Sequence, residues 1–156
     1  MQVKDLMTKK VFTIEPNDMI DRVFFLIHYE KLRHLPVVEK GKVVGIVSDR
    51  DMYKALGPKS NSKVIESNNN NNELHVVAKK VRHIMKRGII TVTPNTPASE
   101  AAKLMTEHRI GALPVVNNGK LAGILTSTDI LKVFSKLDSA QNKKNNSSEK
   151  TQSKKG

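Results

Sequence analysis

The chain contains no cysteine and no tryptophan, and only two tyrosines and four phenylalanines among 156 residues. Without cysteine there is no disulfide framework, no thiolate nucleophile and no zinc–thiolate site. With so few aromatics the core has to be aliphatic, drawn from Val, Ile, Leu and Met, and platforms for stacking nucleic-acid bases are scarce. No apolar run is long enough to cross a bilayer. The opening stretch MQVKDLMTKK lacks the apolar segment of a signal peptide. The phosphate-cradling pattern GxxxxGK[ST], the dinucleotide pattern GxGxxG and the nucleophile elbow GxSxG are all missing. No nucleophile stands beside a base, and Asp49 and Asp51, two apart on a helix, do not face each other. These absences predict a soluble, cytoplasmic protein that is not an enzyme and needs no catalytic cofactor or metal.

What is abundant is positive charge: 27 Lys and Arg against 15 Asp and Glu, a formal net charge of +12. This invites a nucleic-acid reading. Its distribution argues against one, because three of those charges sit on a polar tail and the rest are scattered singly. A solvated basic surface is the expectation, with an anionic partner as its functional counterpart.

The strongest pattern is a duplication. Shifting the chain by 78 residues aligns Val3–Lys54 with Val81–Lys132 without a gap and gives 16 identities in 52 positions. Met7/Met85, Pro16/Pro94, Gly41/Gly119, Gly45/Gly123 and Asp51/Asp129 are among them. The copies are expected at 1–58 and 79–137. Between them, 59–78 reads as a flexible Asn-rich linker, and 138–156 reads as a disordered basic tail.

Each copy alternates strand and helix patterns. VFTI and IITV read as short strands ending before Pro16 and Pro94. Asp18 and Thr96 read as caps of the next helices, with Ile20, Val23, Phe24 and Ile27, and Ala101, Leu104 and Met105, as their apolar faces. HLPVVE and ALPVVN then pass through EKGK and NNGK turns into VVGIVS and LAGILT, two β-hairpins. A last helix starts near Asp49 or Ser127 and ends near Gly57 or Leu137. The unit is β-α-β-β-α, an α/β (α+β) fold. One such unit of about 55 residues buries too little to stand alone, which predicts two copies packed about a pseudo-twofold axis.

At these residues the chain resembles a CBS domain pair, named after cystathionine β-synthase. Each copy has the hxxhM start (Val3–Met7, Val81–Met85), the hPVV strand, the GxhhGh hairpin and a closing [ST]xxD. The segment RHLPVVEKGKVVGIVSDRD is similar to small stand-alone CBS proteins of the acetoin-utilisation type. The resemblance implies adenosine-containing ligands in clefts between the copies, a face-to-face homodimer and control of a partner protein. It places adenine against Val11, Thr13, Ile14 and Pro16, and against Ile89, Thr91, Val92 and Pro94.

The residues carry chemistry of that kind. A carboxylate accepts hydrogen bonds only, and vicinal ribose hydroxyls are paired donors, so Asp51 and Asp129 suit ribose. Ser48 and Thr126, with the free N–H groups of the helix starts, suit phosphate. The same residues are also ordinary helix caps. Arg33 offers phosphate a bidentate fork, and His34 donates once protonated. Copy 2 has Gly111 and Ala112 there, so the two clefts are expected to be unequal. Met7 and Met85 read as core fillers, and His28, His75, His83 and His108 as surface residues without metal-ligand spacing. The basic pair favours AMP, ADP or ATP over S-adenosylmethionine. The alternatives are a basic nucleic-acid binder and a ligand-free dimerisation adaptor.

Overall fold

The computed structural model describes residues 1–56 and 79–152, with side chains through Asn142. The expected linker 59–78, Gly57 and His75 lie outside the described residues. Copy 1 comprises α1 (Val3–Leu6), α2 (Ile20–Tyr29), β1 (His34–Glu39), β2 (Lys42–Ser48) and α3 (Asp49–Leu56). Copy 2 begins with a 3-10 turn (Val81–His83), followed by α4 (Ala98–Glu107), β3 (Ala112–Asn117), β4 (Lys120–Thr126) and α5 (Ser127–Gln152).

Both expected hairpins form. β1 pairs antiparallel with β2 and β3 with β4. Their turns place Lys40 and Gly41, and Asn118 and Gly119, at positive φ, the twist that matches two right-handed strands. In both, the register slips at a bulge, between Val37 and Val38 and between Val115 and Val116.

Three local expectations are corrected. VFTI and IITV do not form strands; each is a single parallel bridge, Ile14 to Val37 and Val92 to Val115. Pairing stops there because the next donors turn away: Glu15 N–H bonds the Asp18 carboxylate at 2.8 Å, and Thr93 N–H bonds the Thr96 hydroxyl at 3.0 Å. Asp18 and Thr96 therefore close the preceding turns, and the helices start after Met19 and Pro97 without a side-chain cap. Phe24 leaves the apolar face of α2. It is 42% exposed and stacks on His28.

The expected end of the last helix is also corrected. α5 runs on to Gln152, past the predicted end near Leu137. No Gly or Pro interrupts that stretch, and Ser139 and Asn142 reach back to Ser135 and Asp138, four residues before them.

The two copies exchange their leading segments. Thr8 pairs with Ile124 of β4, and Lys86 pairs with Ile46 of β2. Val3 N–H bonds Thr96 C=O at 2.9 Å, and its counterpart Val81 N–H bonds Asp18 C=O at 2.8 Å. One core joins Ile14, Ile20, Val23, Ile27, Leu35, Val37, Val47 and Met52 of copy 1 with Val81 and Met85 of copy 2. The other joins Val92, Ala101, Met105, Leu113, Val115 and Leu125 with Val3 of copy 1. Neither copy completes its own core, which is the physical reason for the duplication. Gly45 and Gly123 allow the exchange. A Cβ at Gly45 would lie 2.8 Å from the Lys86 carbonyl oxygen, and one at Gly123 2.8 Å from that of Thr8.

Candidate functional site

Between the copies lies a cavity of about 980 Å³. The ends of β2 and β4 and the starts of α3 and α5 form facing parts of its wall. Eight of the predicted residues line it together: Val11, Arg33, His34, Ser48, Asp51, Ile89, Thr126 and Asp129. Thr13, Ile14, Pro16, Thr91, Val92 and Pro94 do not line this cavity; of the first segments it is the upstream ends that do, the predicted Val11 and Ile89 joined by Phe12 and Ile90. Ile14 and Val92 bridge to β1 and β3 and turn into the two cores, 1% and 5% exposed.

Ser48 and Asp51 form a reciprocal cap. Ser48 N–H and its hydroxyl donate to Asp51 Oδ2 at 2.9 and 2.7 Å, and Asp51 N–H returns a bond to Ser48 Oγ at 3.2 Å. Thr126 and Asp129 repeat this at 2.9, 2.6 and 3.3 Å. The cap uses one oxygen of each carboxylate. The other oxygen retains its lone pairs for a donor from the cavity, so capping and ligand binding are compatible.

The free helix-start N–H groups expected to hold an anion are not free at α3. Asp49 N–H bonds the Arg33 carbonyl at 3.0 Å, Arg50 N–H bonds the Asp49 carboxylate, and Asp51 N–H bonds Ser48. An anion here must be held by side chains. Arg33 supplies one, with its Nε 3.5 Å from Asp49. Lys86, missed in the sequence, supplies another: its Nζ lies 3.5 Å from Asp51 Oδ1. Copy 2 delivers this lysine through the segment exchange. The only sequence signal was its alignment with the uncharged Thr8.

His34 begins β1 and crosses to copy 2. A Cβ at Gly111 would meet its ring at 3.3 Å, so the glycine gives the imidazole its space. Burial holds the His34 pKa below the ordinary value of 6.5; Arg33 and Lys86 push the same way, against Asp49 and Asp51. The ring is therefore mainly neutral at pH 7. His83 accepts a bond from Lys80 N–H at 3.1 Å, whereas His108 lines the cavity. Among the described residues no cluster could hold a metal ion, and no helix is long and apolar enough to cross a membrane.

The fold and cleft define a duplicated α/β module with exchanged leading segments. Residues 3–58 and 81–136 each match the CBS domain, and the chain belongs to that family as a CBS domain pair. It is 34% identical over 137 residues to a CBS domain-containing protein of Dictyostelium discoideum, covering 86% of this chain and 92% of the relative. It is 39% identical over 130 residues to a homoserine O-acetyltransferase of Methanococcoides burtonii, covering 82% of this chain but 23% of that enzyme. Several curated relatives are thus much longer, the chain spanning half of their length or less.

Solved structures agree. The CBS domain pair of protein MJ0100 in complex with 5′-methylthioadenosine and S-adenosyl-L-methionine has a TM-score of 0.72 at 29% identity, covering 86% of this chain and 96% of that one. A Vibrio cholerae protein of the acetoin-utilization type (AcuB) has a TM-score of 0.72 at 27% identity, covering 92% and 96%. CBSX2 in complex with AMP has a TM-score of 0.70 at 28% identity, covering 88% and 98%.

Proposed function

We propose that this chain is a regulatory module that binds an adenine nucleotide (AMP, ADP or ATP) in the cleft between its copies and thereby modulates a partner protein. It acts by binding rather than by catalysis. The observation that carries this reading is the repeated hydroxyl–carboxylate pair, Ser48–Asp51 and Thr126–Asp129, on the wall of one cavity that also presents Arg33, His34 and Lys86. Each carboxylate keeps an oxygen for a ribose diol, and the cations suit phosphate. The complexes of related CBS pairs with AMP and with S-adenosyl-L-methionine support an adenosine ligand. The cations favour the phosphorylated ones.

The module works as a homodimer in the cytoplasm. Phe25, Tyr29, Tyr53, Leu131 and Phe134, each more than half exposed, lie on the outer faces of α2, α3 and α5; such apolar surface favours a partner. Calorimetric titration with AMP, ADP, ATP and S-adenosylmethionine tests the ligand. Saturable binding of a phosphorylated adenosine is expected, and no binding of any at millimolar concentration would refute it. Arg33→Ala should weaken AMP binding by about 1.5–3 kcal/mol, the range for one charge-assisted contact.

A further inference from the structure

Resting on that nucleotide-binding reading, we infer that Lys86 makes the two halves of the cleft select different compounds. The Asp51 half takes an adenosine carrying a 5′-phosphate, and the Asp129 half takes one without.

Asp51 is only 9% exposed. Its Oδ2 is committed to Ser48, and its remaining oxygen, Oδ1, faces the Lys86 ammonium at 3.5 Å. A ribose diol reaching Oδ1 competes with that ammonium for the same oxygen. A neutral nucleoside weakens a charged contact in exchange for a neutral one and offers the ammonium no new partner, a net loss. A nucleotide brings its own anion. Its 5′-phosphate gives the released ammonium a new partner, so displacement becomes exchange. Lys86 thus acts as an internal counter-ion that only a phosphorylated ligand can replace without penalty. It can turn, because its side chain is 64% exposed. Its position is held by the backbone, since Lys86 N–H and C=O both bond Ile46 of β2, at 2.9 and 3.1 Å.

The other half is built without this device. The 78-residue shift puts Thr8 where Lys86 stands, Gly111 where Arg33 stands and Ala112 where His34 stands. Thr8 is bonded to Ile124 of β4 just as Lys86 is bonded to Ile46 of β2. Among the described residues Asp129 has no ion-pair partner, so a diol can reach its second oxygen without displacing a cation. Lys10, Arg109 and Lys132 also line the cavity. Arg109 is matched by Lys31 in copy 1, so it does not distinguish the halves.

The test is calorimetric titration of AMP and of adenosine into the full chain in two backgrounds, Asp129→Ala to report the Asp51 half and Asp51→Ala to report the Asp129 half. Thermal unfolding of each variant confirms that it is folded. In the Asp129→Ala background AMP should bind at least about tenfold more tightly than adenosine, one charged contact's worth. Lys86→Thr there should shrink that ratio about tenfold, weakening AMP and strengthening adenosine. Lys86→Gln, which keeps most of the stem, should do the same. In the Asp51→Ala background adenosine should bind as well as AMP, and Thr8→Lys should shift preference toward AMP. The inference is overturned if Lys86→Thr and Lys86→Gln leave the ratio unchanged or weaken both ligands equally. If the unmutated chain takes up neither AMP nor adenosine, the nucleotide reading falls with it; if AMP binds but the ratio ignores residue 86, only this inference falls.

Discussion

Asp51 performs two tasks with its two oxygens. One closes the cap with Ser48 and the other faces the cleft. Asp51→Ala should therefore lower stability by about 1 kcal/mol through the lost cap and separately weaken AMP binding. Ser48→Ala should lower stability by a similar amount. Chemical denaturation and calorimetry on the same variants separate the two effects. His34 supplies a pH dependence. Its pKa is lowered in the folded chain, chiefly by burial, with Arg33 and Lys86 adding to the effect and Asp49 and Asp51 opposing it. The unfolded chain thus binds more protons, so stability is fully present above the ordinary imidazole value of 6.5 and is lost as pH falls through it toward the folded value. Denaturation midpoints measured from pH 7.5 to 5.5 should fall, and His34→Gln should flatten that slope. The hydroxyl–carboxylate pairs were legible in the sequence because their bonds are local, three residues apart. Lys86 was not, because 35 residues separate it from Asp51 and only the segment exchange joins them.

The hairpins and helices came through from short-range signals: NG and KG turns, apolar periodicity and β-branched runs. The first strands and the caps did not. Asp18 and Thr96 have the chemistry of helix caps, but backbone donors three residues earlier, at Glu15 and Thr93, compete for them and win. The turn at Lys40 carries a strain that its twin avoids. Both Lys40 and Asn118 have positive φ, and asparagine tolerates that region better than lysine. Lys40→Asn should stabilise the chain by about 0.5 kcal/mol, read as a raised denaturation midpoint. The glycines in β2 and β4 are constrained by neighbours instead. Gly45→Ala would press on the Lys86 carbonyl and Met85, and Gly123→Ala on the Thr8 carbonyl and Met7. Each should cost about 1–3 kcal/mol, and Gly45→Ala should also weaken nucleotide binding by displacing Lys86.

Duplication was visible in the whole chain, and with it the pseudo-twofold architecture. That the copies trade their first segments was not visible, since an ungapped alignment is silent on which copy a segment packs against. Val3 and Val81 are fully buried in the opposite copy's core. A fragment of residues 79–142 alone should therefore remain unfolded by circular dichroism, lacking Val3 and the Met7 packing that cover its core. The exchange also brings two carboxylates and an unequal set of cations around one cavity, and this is what the functional account rests on. Its central claim is tested most directly by titrating AMP into the intact chain and into the double variant Asp51→Ala/Asp129→Ala. AMP should bind the intact chain saturably, and a double variant that still folds should lose that binding by at least about tenfold. Binding of equal affinity to both, or to neither, would contradict it.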